Sequence, residues 1–359
     1  MPAEANAVIR DAIKTVVEGM HLTREQAAAT MNAVMSGEAT DAQIASLLTA
    51  LRLKGETVDE IAGFAAAMRE KVTPIRLRRA ETSASSAEPP SRRTTATVID
   101  TCGTGGDGLH TFNISTIAAL VAAGAGATVA KHGNRSVSSK CGSADVLKAL
   151  GVNIEAPVAV VERCLSEAGI AFLFAPMLHK AMKHAIGPRR EIGIRTVFNI
   201  LGPLTNPAGA TAQLLGVYNV ALCETLAMVL RQLGTQRAFV VHGRDGQDEI
   251  SLTGPTHVAE LRDGRVESYT VEPELFALTR VRIADLAGGE PDDNARIARD
   301  VLAGKRGAHH DAVVLNAGAA IAAAGITGDI ADGTMAAAES IKSGAARAKL
   351  DALVKLTNA

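Results

Sequence analysis

Through the first 72 positions, apolar residues recur every three to four places, a period that predicts helices and no strands. Val8, Ile9, Ala12, Ile13, Val16 and Val17 share one face of the first helix. Three Thr-x-x-Gln/Glu capping boxes follow, pairing Thr23 with Gln26, Thr40 with Gln43, and Thr57 with Glu60. Gly37 and Gly55 stand where the second and third helices should stop, because glycine enters the left-handed conformation that ends a helix. Leu47, Leu48, Leu51, Ile61, Phe64 and Met68 supply the faces to be buried. The pattern predicts a small helical lobe over residues 1–72 with no visible chemistry of its own.

The helical period ends at residue 73. From 73 to 97 the chain carries Pro74, basic Arg76, Arg78 and Arg79, then Ser, Ala, Glu and Pro89-Pro90, the composition of a solvated linker. Beyond it, short apolar runs alternate with helical stretches. Strands are predicted at Val98-Ile99, Ala127–Ala130, Val152–Ile154, Gln213–Tyr218 and Ala238–His242, and Phe172 to Pro176 is a further apolar run. Helices fall at Ile117–Gly124, Ala144–Gly151, Pro157–Gly169 and Cys223–Leu233, and Val197–Leu201 reads as a helix stopped by Gly202-Pro203. Val258–Leu261 and Val266–Thr270 flank Arg262-Asp263-Gly264-Arg265, a hairpin signal, and Gly333–Ala348 reads as one closing helix. The predicted fold class is therefore α/β: a mainly parallel central sheet flanked by helices, plus a smaller all-helical N-terminal domain.

Length and composition narrow the function. At 359 residues two lobes are expected, and 47% hydrophobic residues with only 3% aromatics make a core of small side chains. A net charge of −1 argues against a dedicated nucleic-acid binder. The Ile117–Ala130 run is too short to span a membrane and is broken by Gly124 and Gly126. Acidic Glu4 and Asp11 and the lack of an apolar core do not suit a signal peptide. Cys102, Cys141, Cys164 and Cys223 lack paired metal spacing, which suits reduced thiols in the cytoplasm.

Chemistry concentrates in loops that follow predicted strands, where ligands of an α/β sheet gather. The stretch from Val98 to Thr116 reads V-I-D-T-C-G-T-G-G-D-G-L-H-T-F-N-I-S-T. Strand, glycine loop and helix start form an anion cradle, with Ser115 or Thr116 placed to cap the helix. The glycines alone also read as an ordinary strand-to-helix turn. Neither the dinucleotide pattern with its following acid nor the P-loop pattern fits. Next, Lys131 to Ser136 and Ser138 to Ser143 crowd cations, hydroxyls and glycines after a strand, as a polyanion requires, although a polar surface loop has the same composition. Gly243 to Ser251 places Asp248 and Glu249 in a third loop, either an acidic turn or a site for Mg²⁺, a hard ion that prefers oxygen ligands.

As whole strings these segments are more specific. D-x-x-G-T-G-G-D-G with T-F-N-I-S-T, K-H-G-N-R-x-V-S-S-K-x-G-S, R-x-x-I-G-x-R-T and D-E-I-S resemble the anthranilate phosphoribosyltransferases, over nearly the whole chain. The resemblance implies transfer of the phosphoribosyl group of 5-phosphoribosyl 1-diphosphate to the amino group of anthranilate. It assigns phosphoribosyl diphosphate to Gly103, Gly106, Asp107, Thr111, Asn113, Ile114, Ser115, Thr116, Lys131, Asn134, Ser139 and Ser143. Anthranilate falls to Gly103, His132, Asn134 and Arg189, with His179, Met182 and His184 along its entry channel. Ser115, Asp248 and Glu249 become the Mg²⁺ site, and no residue is assigned as acid or base.

The resemblance also implies a homodimer joined through the helical lobe, and places helices from about 172–195 against that lobe. Residues 98–171 and 196–359 would then form the substrate-binding α/β domain. The chain departs from the family at Lys180, where proline is common, at Gln247, where an apolar residue is commoner, and at Asp293, in place of Glu in E-N-A. Two rival readings are a pyrimidine nucleoside phosphorylase of the same fold and a non-catalytic relative that binds nucleic acid. The first would lack the three loop motifs together, and the net charge opposes the second.

Overall fold

A computed structural model describes residues 2–77, 97–136 and 140–359. Most of the expected linker, residues 78–96, and Ser139 lie outside the described residues. The chain opens with four helices: α1 (Pro2–Val17), α2 (Arg24–Met35), α3 (Asp41–Lys54) and α4 (Val58–Lys71). Each of α2, α3 and α4 starts on its capping box, with Thr23, Thr40 and Thr57 accepting the N–H three residues on. Such a cap contributes about 1 kcal/mol. Gly37 and Gly55 take positive φ just beyond α2 and α3. In α1 only Ile9, Ala12 and Val16 of the predicted face are buried, while Val8 and Val17 are exposed.

Seven strands form one sheet: β1 (Val98–Gly103), β2 (Thr128–Gly133), β3 (Ile170–Phe174), β4 (Ala212–Gly216), β5 (Arg237–Gly243), β6 (Thr256–Arg262) and β7 (Arg265–Val271). Their order is β3-β2-β1-β4-β5-β6-β7. The five strands from β3 to β5 run parallel, and β6 and β7 add the predicted antiparallel hairpin. Strand alternation sends neighbouring side chains to opposite faces. Leu214, Phe239 and Val241 join the core around α5 (Ile114–Gly124), whereas Leu215, Ala238 and Val240 join a core shared with the N-terminal helices. The helix Lys183–Ile192 packs on α2 and α3, with Ala185 buried. No described helix is long and apolar enough to cross a membrane.

Several predicted boundaries are corrected. Residues 152–154 form no strand: the Val152 N–H closes the preceding helix on Leu147, and the Asn153 N–H is taken by Thr357 Oγ1. The closing helix is two, Ile330–Lys342 and Ala345–Thr357, broken where Gly344 adopts φ +77°. Strand β2 extends through Lys131 and His132, which sequence patterning placed in a loop, because their backbones pair with Phe172 and Leu173 of β3. Helix α5 starts at Ile114 behind Asn113, so Ser115 and Thr116 occupy its first turn and neither caps it.

Candidate active site

In strand order the chain reverses direction between β1 and β4, which pair Gly103 with Gly216 at their carboxyl ends. This switch point is where an open α/β sheet leaves a crevice for ligands. The loop after β5 lies directly over it. A Cβ at Gly216 would fall 1.5 Å from the Asp248 carbonyl oxygen, and one at Gly103 would fall 2.3 Å from Asp248 Oδ2. Both glycines are required by this close backbone approach. From below, Asn316 fixes the loop: the Ile250 N–H donates to Asn316 Oδ1 at 2.9 Å, and Asn316 Nδ2 donates back to the Ile250 carbonyl at 3.0 Å.

The glycine loop meets the acidic loop through its backbone. Gly105 N–H donates to Asp248 Oδ2 at 2.8 Å, and Ser115 N–H, in the first turn of α5, donates to Glu249 Oε1 at 3.2 Å. Lys131, 3% exposed, directs its ammonium to the Thr101 carbonyl at 2.5 Å and to Ser115 Oγ at 3.4 Å. Burial, reinforced by Asp107, pushes the Asp248 carboxyl up to about 6. Burial and the neighbouring Asp248 raise Glu249 well above the usual carboxylate range. Two crowded carboxylates, with Lys131 the cation acting on Glu249, are a donor set for a hard divalent cation.

The second loop is held by Asp145, whose Oδ2 accepts from Gly142 N–H at 2.9 Å and Ser136 N–H at 3.1 Å. Ser143 Oγ donates to the Asn134 carbonyl at 3.2 Å. Beneath this loop lies Asp100, fully buried, a residue sequence reasoning did not single out. It accepts from His132 N–H at 3.1 Å and from Asn206 Nδ2 at 2.7 Å, and Asn206 also donates to the Ala130 carbonyl. Sequence reasoning treated the stretch containing Asn206 as architecture. Here it anchors the strand that carries Lys131. The only signal for Asp100 was its place at the head of D-x-x-G-T-G-G-D-G.

His132 and His179 meet Nε2 to Nε2 at 3.1 Å. Burial, aided by His179, drives His132 down to about 3, and burial drives His179 down to about 4. Both rings are therefore neutral at pH 7, one donating and the other accepting. Arg189 stacks its guanidinium 4.9 Å from the centre of the Phe198 ring, and no described carboxylate pairs with it. Arg195, from the same motif, was overlooked. It lies 4.3 Å from the Tyr218 ring centre and donates to the Gly106 carbonyl. Arg195–Gly106 and His132–His179 thus tie the 179–195 segment to the phosphate loops.

The remaining predicted residues occupy the same edge. Asp107 Oδ1 accepts from Leu109 N–H, and Thr111 forms a β-bridge with Ala287. Asn113 Nδ2 donates to the Cys141 carbonyl. Ile114 is buried, and Thr116 Oγ1 is buried without a hydrogen-bond partner among the described residues. Gly103, Gly106, Asp107, Thr111–Thr116, Lys131–Asn134, Ser143, Asp248 and Glu249 gather around the carboxyl ends of β1, β2, β4 and β5.

Residues 95–347 match the glycosyl transferase family a/b domain, and residues 10–72 match that family's helical bundle domain. The anthranilate phosphoribosyltransferase of Syntrophotalea carbinolica is 55% identical over 350 residues, covering 98% of this chain and 99% of the relative. The crystal structure of anthranilate phosphoribosyltransferase from Thermus thermophilus superposes with a TM-score of 0.89 at 44% identity, covering 97% of this chain and all of that one. The Saccharomyces cerevisiae anthranilate phosphoribosyltransferase in complex with PRPP and Mg gives a TM-score of 0.85 at 27% identity, with 98% of each chain covered. Loop motifs, sheet order and near-full-length identity agree, and the chain belongs to the anthranilate phosphoribosyltransferase family.

Proposed function

We propose that the three loops at the sheet's carboxyl edge bind 5-phosphoribosyl 1-diphosphate and that Arg189 receives the carboxylate of anthranilate. The reaction joins the anthranilate nitrogen to C1 of the ribose. The nitrogen lone pair forms the new C1–N bond, and the C1–O bond breaks with its electron pair leaving on diphosphate. An aromatic amine is neutral near pH 7 and needs little help from a base. The demand falls on alignment and on charge that builds on the leaving group. Lys131, the amides of the glycine loop and the amino end of α5 are positioned for that charge.

The convergence of loops carries this reading. Backbone amides at Gly105 and Ser115 each hold one carboxylate of the Asp248–Glu249 pair, with the Lys131 ammonium beside Ser115. Asp248, Glu249 and Ser115 Oγ fit Mg²⁺, as oxygen donors beside a phosphate cradle. When bound, the ion would offset negative charge on the diphosphate. The yeast relative's complex with PRPP and Mg supports these two as ligands. Asn134 and Ser143 complete the phosphate side, and His132 lines the boundary between the substrates as a neutral ring. The direct test follows anthranilate fluorescence with phosphoribosyl diphosphate and Mg²⁺. Decay is expected, and no decay overturns the reading. Phosphorolysis of a pyrimidine nucleoside in its place would favour the rival enzyme.

We assign residues 1–72, with the helices of the 175–195 stretch, to one lobe and the sheet with its remaining helices to the other; Phe172–Phe174, expected with the helical lobe, belong to β3 because their backbones pair with β2. The packing of Lys183–Ile192 on α2 and α3 supports this division. The helical lobe also exposes Val17, Met20 and Leu53, the last 83% accessible, beside a groove between α1 and α3. An apolar patch of this kind suits a two-fold contact between copies. Light scattering should therefore give about twice the chain mass, and Leu53→Glu should shift it toward monomer. A wild-type monomer at micromolar concentration would refute the dimer. Among the described residues none of the four cysteines forms a disulfide, which fits a cytoplasmic setting.

A further inference from the structure

The segment Pro291-Asp292-Asp293-Asn294-Ala295 has no part in the chemistry above, yet it touches the machinery. Asn294 is 2% exposed in the first turns of the helix Pro291–Leu302. Its Oδ1 accepts from Gly289 N–H at 2.8 Å, and its Nδ2 donates to Asn113 Oδ1 at 2.9 Å. Asn113 Nδ2 in turn donates to the Cys141 carbonyl at 3.1 Å. Backbone groups terminate this relay at both ends, an N–H at Gly289 and a carbonyl at Cys141. The orientation of both side-chain amides is thereby determined, because no reversed arrangement pairs every donor with an acceptor. Asn113 precedes α5 at the end of the glycine loop, and Cys141 precedes Gly142 and Ser143 at the end of the second loop. Nearby, Phe112 N–H donates to the Leu286 carbonyl and Gly288 N–H to the His110 carbonyl, so residues 286–289 form a seam along the glycine loop.

We infer that Asn294 is a positioning residue that acts through Asn113 to set the spacing of the two phosphate-binding loops. The inference rests on the proposed roles of those loops. It also revises the part played by Asn113: its side chain is a strut between loops, and any substrate contact uses its remaining amide hydrogen, the second lone pair of its oxygen or its backbone. A polyanion spanning both loops depends on their separation, whereas anthranilate, held by Arg189 from the other lobe, depends on it less.

Asn294→Asp tests this with little change of shape. The carboxylate still accepts from Gly289 N–H, but it offers Asn113 no donor. If Asn113 turns to donate, its oxygen faces the Cys141 carbonyl. Leaving such a group unsatisfied should raise KM for phosphoribosyl diphosphate about tenfold. Both kcat and KM for anthranilate should stay within about threefold, the pattern of lost substrate binding. Asn113→Ala, which also touches the binding site, should raise KM for phosphoribosyl diphosphate at least as much, and the double variant should be no worse than Asn113→Ala by more than about twofold, since both remove one relay. An unchanged KM for phosphoribosyl diphosphate in Asn294→Asp overturns the inference. So do equal rises for both substrates, or losses that multiply in the double variant. If Asn294→Asp does not fold, Asn294→Ser carries the same expectations, and failure of both to fold assigns Asn294 to architecture instead. Wild-type turnover tests the reaction separately: an active wild type with silent variants removes the strut alone, and a wild type that neither reacts nor binds phosphoribosyl diphosphate by calorimetry removes both.

Discussion

Turnover falls a hundredfold to a thousandfold when Asp248 and Glu249 are replaced together by Asn and Gln. That is the expected size for removing an electrostatic group that acts on charge developing in the transition state. The substitutions keep the side-chain shapes and an acceptor for each amide donor, Gly105 N–H and Ser115 N–H. They remove two negative charges from the oxygen set that would hold Mg²⁺. Folding should survive, and without metal it should improve slightly, because the two carboxylates crowd each other and Asp107 in a half-buried loop. Raising Mg²⁺ should restore part of the rate, as weakened ligation requires. The check is fluorescence turnover across Mg²⁺ concentrations for wild type and double variant, alongside denaturant melts. Full activity with wild-type metal dependence in the double variant would remove these residues from the metal site.

Arg189→Ala raises KM for anthranilate by roughly tenfold to a hundredfold and leaves KM for phosphoribosyl diphosphate nearly unchanged. A charged hydrogen bond to a carboxylate is worth about 1.5–3 kcal/mol, and each 1.4 kcal/mol is tenfold. The structure strengthens the case made from the motif. The Arg189 guanidinium is stacked on Phe198, has no described carboxylate partner, and sits where burial lowers its pKa. A partly desolvated cation of this kind favours an incoming anion. Arg189→Lys should recover only part of the loss, because an ammonium keeps the charge but not the planar fork that orients a carboxylate. Steady-state kinetics with each substrate varied in turn decides the matter. Equal weakening of both substrates would make Arg189 a support for the Phe198 helix.

Legibility in the sequence follows the range of the interactions. Each capping box closes within three residues, so Thr23, Thr40 and Thr57 announced their helices correctly. The hairpin at Asp263-Gly264 and the alternation that specifies a mainly parallel sheet are equally local, and the loop motifs are contiguous strings. Local pattern failed where distant partners compete for the backbone. Thr357 takes the Asn153 N–H and leaves no strand there, and β3 extends β2 through Lys131 and His132. The final helix bends at Gly344, where Ser340 and Ala346 close on Gly124 of α5.

The site divides in the same way. By itself the sequence determined which residue types are present, the glycines that can approach a ligand, the Lys131 cation, the Asp248–Glu249 oxygens and the Arg189 fork, because these are properties of single side chains and short strings. Only the tertiary structure decided what they act upon. Pairing of β1 with β4 puts Gly103 and Gly216 under Asp248, and Asp100 meets Asn206 across 106 positions of sequence. His132 is driven far below its ordinary pKa because the surrounding core excludes water from it and His179 stands beside it. Arg195 acquires a role only because its segment returns to Gly106. Burial, electrostatic environment and contact across a sheet depend on the whole chain's packing, and no local pattern carries that information.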